Sequence, residues 1–217
     1  MWNPLRSRRE KREAHLLERE AFRSAKRLAR EDVLVLGEDV AALALPHDAS
    51  YEVREHHRFA LEGYDRARGL LDTADDAGDI DRLDEVLQLA RWELAAVRAL
   101  EAGEPLPPRR GPCFFNPQHG PSVVRLHWAP PQGSERQVEA CRACELRLET
   151  GADPKHREVR VGDRFVPWWQ ASSVATFSSM PTAQALEGTH GPLVAAAMTE
   201  AQLRASMSMA TAMTRGM

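Results

Sequence analysis

The chain lacks most of the features that would name a reaction. Only three cysteines occur in 217 residues, and all lie between Cys113 and Cys144. A disulfide framework normally uses more cysteines, in even number. A reducing compartment and a metal role for the thiols fit better. Aromatic residues make up 6% of the chain, enough for one modest core. No run approaches the ~18 uninterrupted apolar residues of a membrane span. The opening from Met1 to Arg12 is polar and basic, without the apolar stretch of a secretory signal. A cytoplasmic protein is expected. His-Glu-x-x-His, Gly-x-Ser-x-Gly, P-loop and Gly-x-Gly-x-x-Gly patterns are all missing. The expectation is therefore a protein that is not an enzyme.

Charge is plentiful and segregated. Residues 1–30 carry ten Lys/Arg and four Asp/Glu, while residues 31–104 carry seven Arg and nineteen Asp/Glu. The net charge of -3 hides this split. Such asymmetry either steers a charged partner through the protein's field or reflects solvated helix faces.

Three helices are expected before residue 104. Phe22, Ala25, Ala29, Val33, Leu36, Val40 and Leu43 recur in steps of three and four, the spacing of one helical stripe. A first helix from Arg6 to Leu43 would span ~55 Å, so its charged N-terminal half is expected to project or to pair with another chain. Glu20 and Arg23 give it a salt-laced face, and Pro46 ends it. Ser50 is a good N-cap for a second helix with the stripe Val53, His57, Ala60, Tyr64, Ala67 and Leu71. Asp79 is expected to cap a third, with Ile80, Leu83, Leu87, Ala90, Leu94 and Val97 inward and Gly103 and Pro105 as stops. Short connections favour an antiparallel three-helix bundle or coiled coil over residues 1–104. Of His56 and His57, one is expected exposed and one packed.

The segment 105–112 is a proline-rich linker. Beyond it Cys113 and His119 flank a turn, Val123–Trp128 and Arg136–Ala140 read as a β-hairpin, and Cys141-Arg-Ala-Cys144 leads into a short helix. Two ligands on a turn, a hairpin, then two ligands at a helix start is the arrangement of treble-clef and related zinc modules. Zinc takes four N/S donors in a tetrahedron, and a helix N-terminus favours thiolate over thiol. The candidate ligands of a structural Zn2+ are Cys113, His119, Cys141 and Cys144, with His127 as an alternative fourth. The competing readings are ordinary buried thiols or a redox Cys-x-x-Cys, which would want a βαβ context. Asn116, His119 and His127 superficially match a nuclease set but lack a general-base dyad and an acidic metal ligand.

A second hairpin is expected from Arg157 to Val166, turning at Gly162-Asp163, then Trp168 and Trp169. Phe114, Phe115, Trp128, Phe165, Trp168 and Trp169 supply the apolar material for a module over 113–170. From 171 to 217 the composition shifts to Ala, Ser, Thr and Met, with six of seven methionines at Met180 or later, and a disordered tail is expected. The fold class is thus α+β: helical bundle, treble-clef-like module, tail.

The blocks Pro112-Cys-Phe-Phe-Asn-Pro-Gln-His-Gly-Pro121, Trp128-Ala-Pro-Pro131, Ala140-Cys-Arg-Ala-Cys144 and Val166-Pro-Trp-Trp169 resemble an uncharacterised actinobacterial family, as does Ala29–Asp39. The resemblance covers most of residues 20–169. It implies a shared architecture and no activity. The functional expectation is a protein-interaction or scaffolding protein, partnered by another protein or by a second copy. The alternative is nucleic-acid or anionic-surface binding through Arg6, Arg8, Arg9, Lys11 and Arg12, a basic cluster that could contact phosphates but has no interleaved aromatic residue.

Overall fold

In a computed structural model of the chain, residues 4–131, 133–161 and 164–168 are described. The side chains of Arg6, Arg8, Arg9 and Lys11, the turn at Gly162-Asp163, Trp169 and the tail 171–217 lie outside the described residues. The elements, in order, are α1 (Pro4–Ala42), α2 (Tyr51–Thr73), α3 (Ala77–Glu101), β1 (Val124–Trp128), β2 (Arg136–Ala140), α4 (Arg142–Glu149), β3 (Glu158–Val161) and β4 (Arg164–Pro167). The described residues form an α+β mixture with two small antiparallel sheets, β1-β2 and β3-β4. Among the described residues no helix is long and apolar enough to cross a membrane.

The chain forms two compact units. One holds the described residues up to 30, 73–84 and those from 158 on; the other holds 31–72 and 85–157.

In the first unit, Ala21, Ala25, Leu28 and Ala29 of α1 and Ile80 and Leu83 of α3 are buried. Lys26 donates to the Ala74 carbonyl at 2.6 Å. The start of α3 is a reciprocal cap. Asp76 Oδ1 accepts from Asp79 N at 2.9 Å, while Asp79 Oδ2 accepts from Asp75 N at 2.9 Å and Asp76 N at 3.3 Å. Asp76, not Asp79, is therefore the N-cap, and Asp79 is the residue three positions on that closes the capping box. The backbone donors of Asp75 and Asp76 hold the Asp79 carboxyl below its usual range. β3 and β4 pair with Val159 opposite Val166. Phe165 is 65% exposed, so it is not the core residue its aromaticity implied.

In the second unit the expected stripes are inside: Leu36, Ala60, Ala67, Leu87, Ala90, Leu94 and Val97 are at most 2% exposed. Burying each Leu or Val side chain stabilises by about 1.5–3 kcal/mol. Ser50 caps α2 as expected, its Oγ accepting from Val53 N at 3.2 Å. The helices approach closely at small residues. A methyl added to Gly37 would sit 2.7 Å from the Tyr64 ring, and one added to Gly63 would sit 2.7 Å from Ala90 Cβ.

Neither His56 nor His57 is exposed, contrary to expectation. His56 Nδ1 lies 2.5 Å from Glu93 Oε2, and its ring meets Trp92 edge-on at 5.7 Å. The acid on α3 gives the histidine a polar partner inside the helix contact. Trp92 also anchors the proline-rich segment. Its Nε1 donates to the Pro107 carbonyl at 3.1 Å, and the Arg109 guanidinium stacks 3.4 Å from its ring centroid.

Candidate metal centre

The centre assembles from two pieces of chain. The first runs from Cys113 to His119. Asn116 caps a short 3-10 turn, Pro117–His119, by accepting from Gln118 N at 3.0 Å. Pro117 occupies the first helical position, where the missing N–H costs nothing. Gly120 ends the turn at φ +85°, a conformation that a side chain would strain. Cys113 N then donates to the Gly120 carbonyl at 3.0 Å, closing the loop, and Phe114 N donates to the Glu139 carbonyl at 2.8 Å, laying it beside β2.

The second piece is β2 and α4. β1 and β2 pair in register, with Val124 opposite Ala140 and Trp128 opposite Arg136. That pairing delivers Cys141 to the N-cap position of α4, and Cys144 follows within the first turn. The two thiols, three residues apart, face the same side of the helix start.

The two pieces converge. One donor atom each from Cys113, His119, Cys141 and Cys144 lies within 4.8 Å of every other. Cys113 Sγ is 3.8 Å from Cys144 Sγ, and His119 Nδ1 is 3.3 Å from Cys144 Sγ and 3.8 Å from Cys141 Sγ. Cys113 and Cys144 are 1% exposed and Cys141 6%. All three are free thiols. His127 is elsewhere. β1 alternates half-buried and exposed residues, which turns His127 to the exposed face, with its Nδ1 3.9 Å from Glu135. Of the two histidines weighed for the fourth position, only His119 is in the cluster.

The protonation of the cluster shows how crowded it is. Hydrogen bonds from Cys141 and Cys144 push the Cys113 thiol far down, against burial, which pushes it up. Bonds to Cys113, then to Cys141, raise the His119 imidazole to about 9 despite partial burial. Bonding to Cys113 and Cys141, together with burial, pushes the Cys144 thiol up. One thiolate is stabilised by donors around it, and a second beside it is opposed. Three thiolates together would need a cation among them.

Aromatic rings back the centre. Phe115 is fully buried and meets Phe114 at 5.4 Å and Trp128 at 5.2 Å, both edge-to-face. The Arg136 guanidinium covers Phe114 at 4.8 Å. On another side His119 and Cys141 border an open cleft of about 690 Å³ shared with Leu106, Val123 and Arg142.

A set of buried polar side chains that the sequence reading passed over adjoins the turn. Asp32 is 0% exposed, Arg91 3% and Arg157 8%. Arg157 contacts both Asp32 oxygens, at 3.0 and 2.8 Å. Gln118 Nε2 donates to Asp32 Oδ1 at 2.7 Å. Arg91 Nη2 donates to the Asp32 carbonyl at 3.3 Å and lies 3.6 Å from its carboxylate. The signal for Asp32 was its position on the α1 stripe, between Ala29 and Leu36. Of the basic cluster proposed for anion binding, Arg12 is exposed on α1. The chain matches no family model, no curated protein and no solved structure.

Proposed function

We propose that Cys113, His119, Cys141 and Cys144 hold one structural zinc ion in a treble-clef-like module, and that the chain is a non-enzymatic interaction or scaffolding protein. The donor spacing carries the first part. Zinc bonds of ~2.3 Å to sulfur and ~2.0–2.1 Å to nitrogen put tetrahedral sulfurs ~3.8 Å apart and sulfur and nitrogen ~3.5 Å apart. The corresponding separations here are 3.8 Å, and 3.3 and 3.8 Å. Four protein donors fill a tetrahedron and leave no position for a reacting water, which a catalytic zinc requires. The contacts of His56 with Glu93 and of Gly63 with Ala90 run in opposite directions along α2 and α3, which supports an antiparallel arrangement of the helices. Leu16 and Leu34, 59% and 62% exposed on α1, offer apolar positions for a second copy or a partner.

Elemental analysis of the purified protein tests the centre. About one zinc per chain is expected for the wild type, and little for Cys141→Ser. Equal, negligible zinc in both would remove the reading. Native mass spectrometry tests the interaction role, which fails if the full chain is monomeric and captures no partner.

A second reading rests on the basic run in the first turns of α1, which contains Arg6, Arg8, Arg9, Lys11 and Arg12. Binding to nucleic acid would weaken steeply with added salt. No gel retardation at low salt ends that reading.

A further inference from the structure

We propose that Asp32 is a remote positioning residue for the Cys/His centre, coupling metal occupancy to the packing of α1 and α3. The inference rests on the zinc reading above and goes beyond it, because Asp32 is no ligand and lies 86 residues before the glutamine it holds.

Gln118 is the link. It sits beside His119 in the 3-10 turn. Its amide is used at both ends: Nε2 donates to Asp32 Oδ1 at 2.7 Å, and Oε1 accepts from Asn116 Nδ2 at 3.3 Å. The backbone N of Gln118 is meanwhile held by Asn116 Oδ1 at 3.0 Å. The residue preceding the imidazole is thus fixed by three hydrogen bonds, one of which ends on α1.

Arg157 is the second link. Its guanidinium grips the carboxylate through two nitrogens, the strong paired geometry of arginine and acid. Its backbone N donates to the Phe115 carbonyl at 2.8 Å. Phe115 is two residues beyond Cys113. The carboxylate therefore reaches the loop at two places, just past Cys113 and just before His119. Arg91 ties the same aspartate to α3.

A fully buried carboxylate is strongly disfavoured unless it is paired and hydrogen-bonded. Two of the three side chains that pair with Asp32 are anchored to the 113–119 loop. Ordering of that loop by an ion stabilises the buried acid, and the acid in turn holds the loop. Coupling of this kind is reciprocal. Partners behind metal ligands typically contribute 10–100-fold in metal affinity.

The test uses the full chain and chelator competition. Wild type, Asp32→Asn, Gln118→Leu and the double variant are compared for zinc affinity, and each is melted with and without zinc. Both single variants should lose roughly 10–100-fold in affinity. The double variant should lose no more than Asp32→Asn alone. Zinc should raise the helical melting temperature less in Gln118→Leu than in wild type. Unchanged affinity in Gln118→Leu, or strictly additive losses in the double variant, overturns the proposal while leaving the zinc site standing. Wild type that binds no zinc overturns both, and does so before any variant is made. Should Asp32→Asn not fold, Gln118→Leu decides alone.

Discussion

Cys113 Sγ and Cys144 Sγ lie 3.8 Å apart, brought together across 31 residues of sequence. That is far beyond the ~2.05 Å of a disulfide, and both thiols are buried and free. The two sulfurs are close enough to bind one metal ion together.

Removing the proposed ion should loosen the module. A strong chelator at neutral pH is expected to weaken the near-ultraviolet circular dichroism of the Phe114, Phe115 and Trp128 cluster. Cys113→Ala should cost about 4 kcal/mol or more, the range reached when a protein loses a metal. Thermal melts of the two proteins check this, and equal melting temperatures would contradict it.

Metal uptake should acidify the solution. In the empty cluster His119 is held protonated up to about 9, and Cys144 is pushed up as well. At pH 7 both carry protons that an ion must displace. Apparent affinity is thus expected to fall as pH falls, and the His119 share of the released protons to vanish above about pH 9. Zinc titration of lightly buffered metal-free protein with an indicator dye measures the release. No acidification at pH 7 would rule the ligand set out.

Gly120→Ala should destabilise by about 1–3 kcal/mol, because φ +85° with ψ -158° is a backbone conformation essentially reserved for glycine. Because Gly120 follows His119 directly, zinc should also be lost more readily from this variant. Urea denaturation with parallel metal analysis reads both effects.

The helices and the centre were legible to different degrees. The stripes Val33–Leu36–Val40 and Leu87–Ala90–Leu94 stand out because apolar spacing directly reports a buried helical face. The Cys/His set stands out because two of its members are close neighbours in sequence and the others flank a turn. Asp32, Arg91 and Arg157 were passed over because charged residues are read by default as solvated, and their pairing joins positions far apart in sequence. The α3 cap was misplaced by one turn because Asp76 and Asp79 both suit a cap, and only the direction of the backbone donors separates them. His127 was open as a ligand until the alternation of β1 placed it outward.

Asp76→Ala should cost about 1 kcal/mol, the usual loss on deleting a cap, and leave zinc content untouched. Asp76→Asn should restore most of it. Calorimetry distinguishes the two.

Trp92→Phe should cost about 1 kcal/mol by deleting the bond to the Pro107 carbonyl. Limited proteolysis should then cut between 105 and 111 faster than in wild type. Unchanged digestion would mean that the segment is held by something other than Trp92.

The hairpin that separates the two ligand pairs has an outward tip: Ala129, Pro131, Gly133 and Ser134 are all exposed. A protease nick there would sever every covalent tie between Cys113 and Cys141. With zinc bound, the two fragments would still migrate as one particle, each contributing two of the four bonds to the same ion. The β1-β2 ladder and the Asp32–Arg157 pair would also bridge the cut, and taking the ion away would loosen that join, so the metal would serve as one seam of a chain already cut in two.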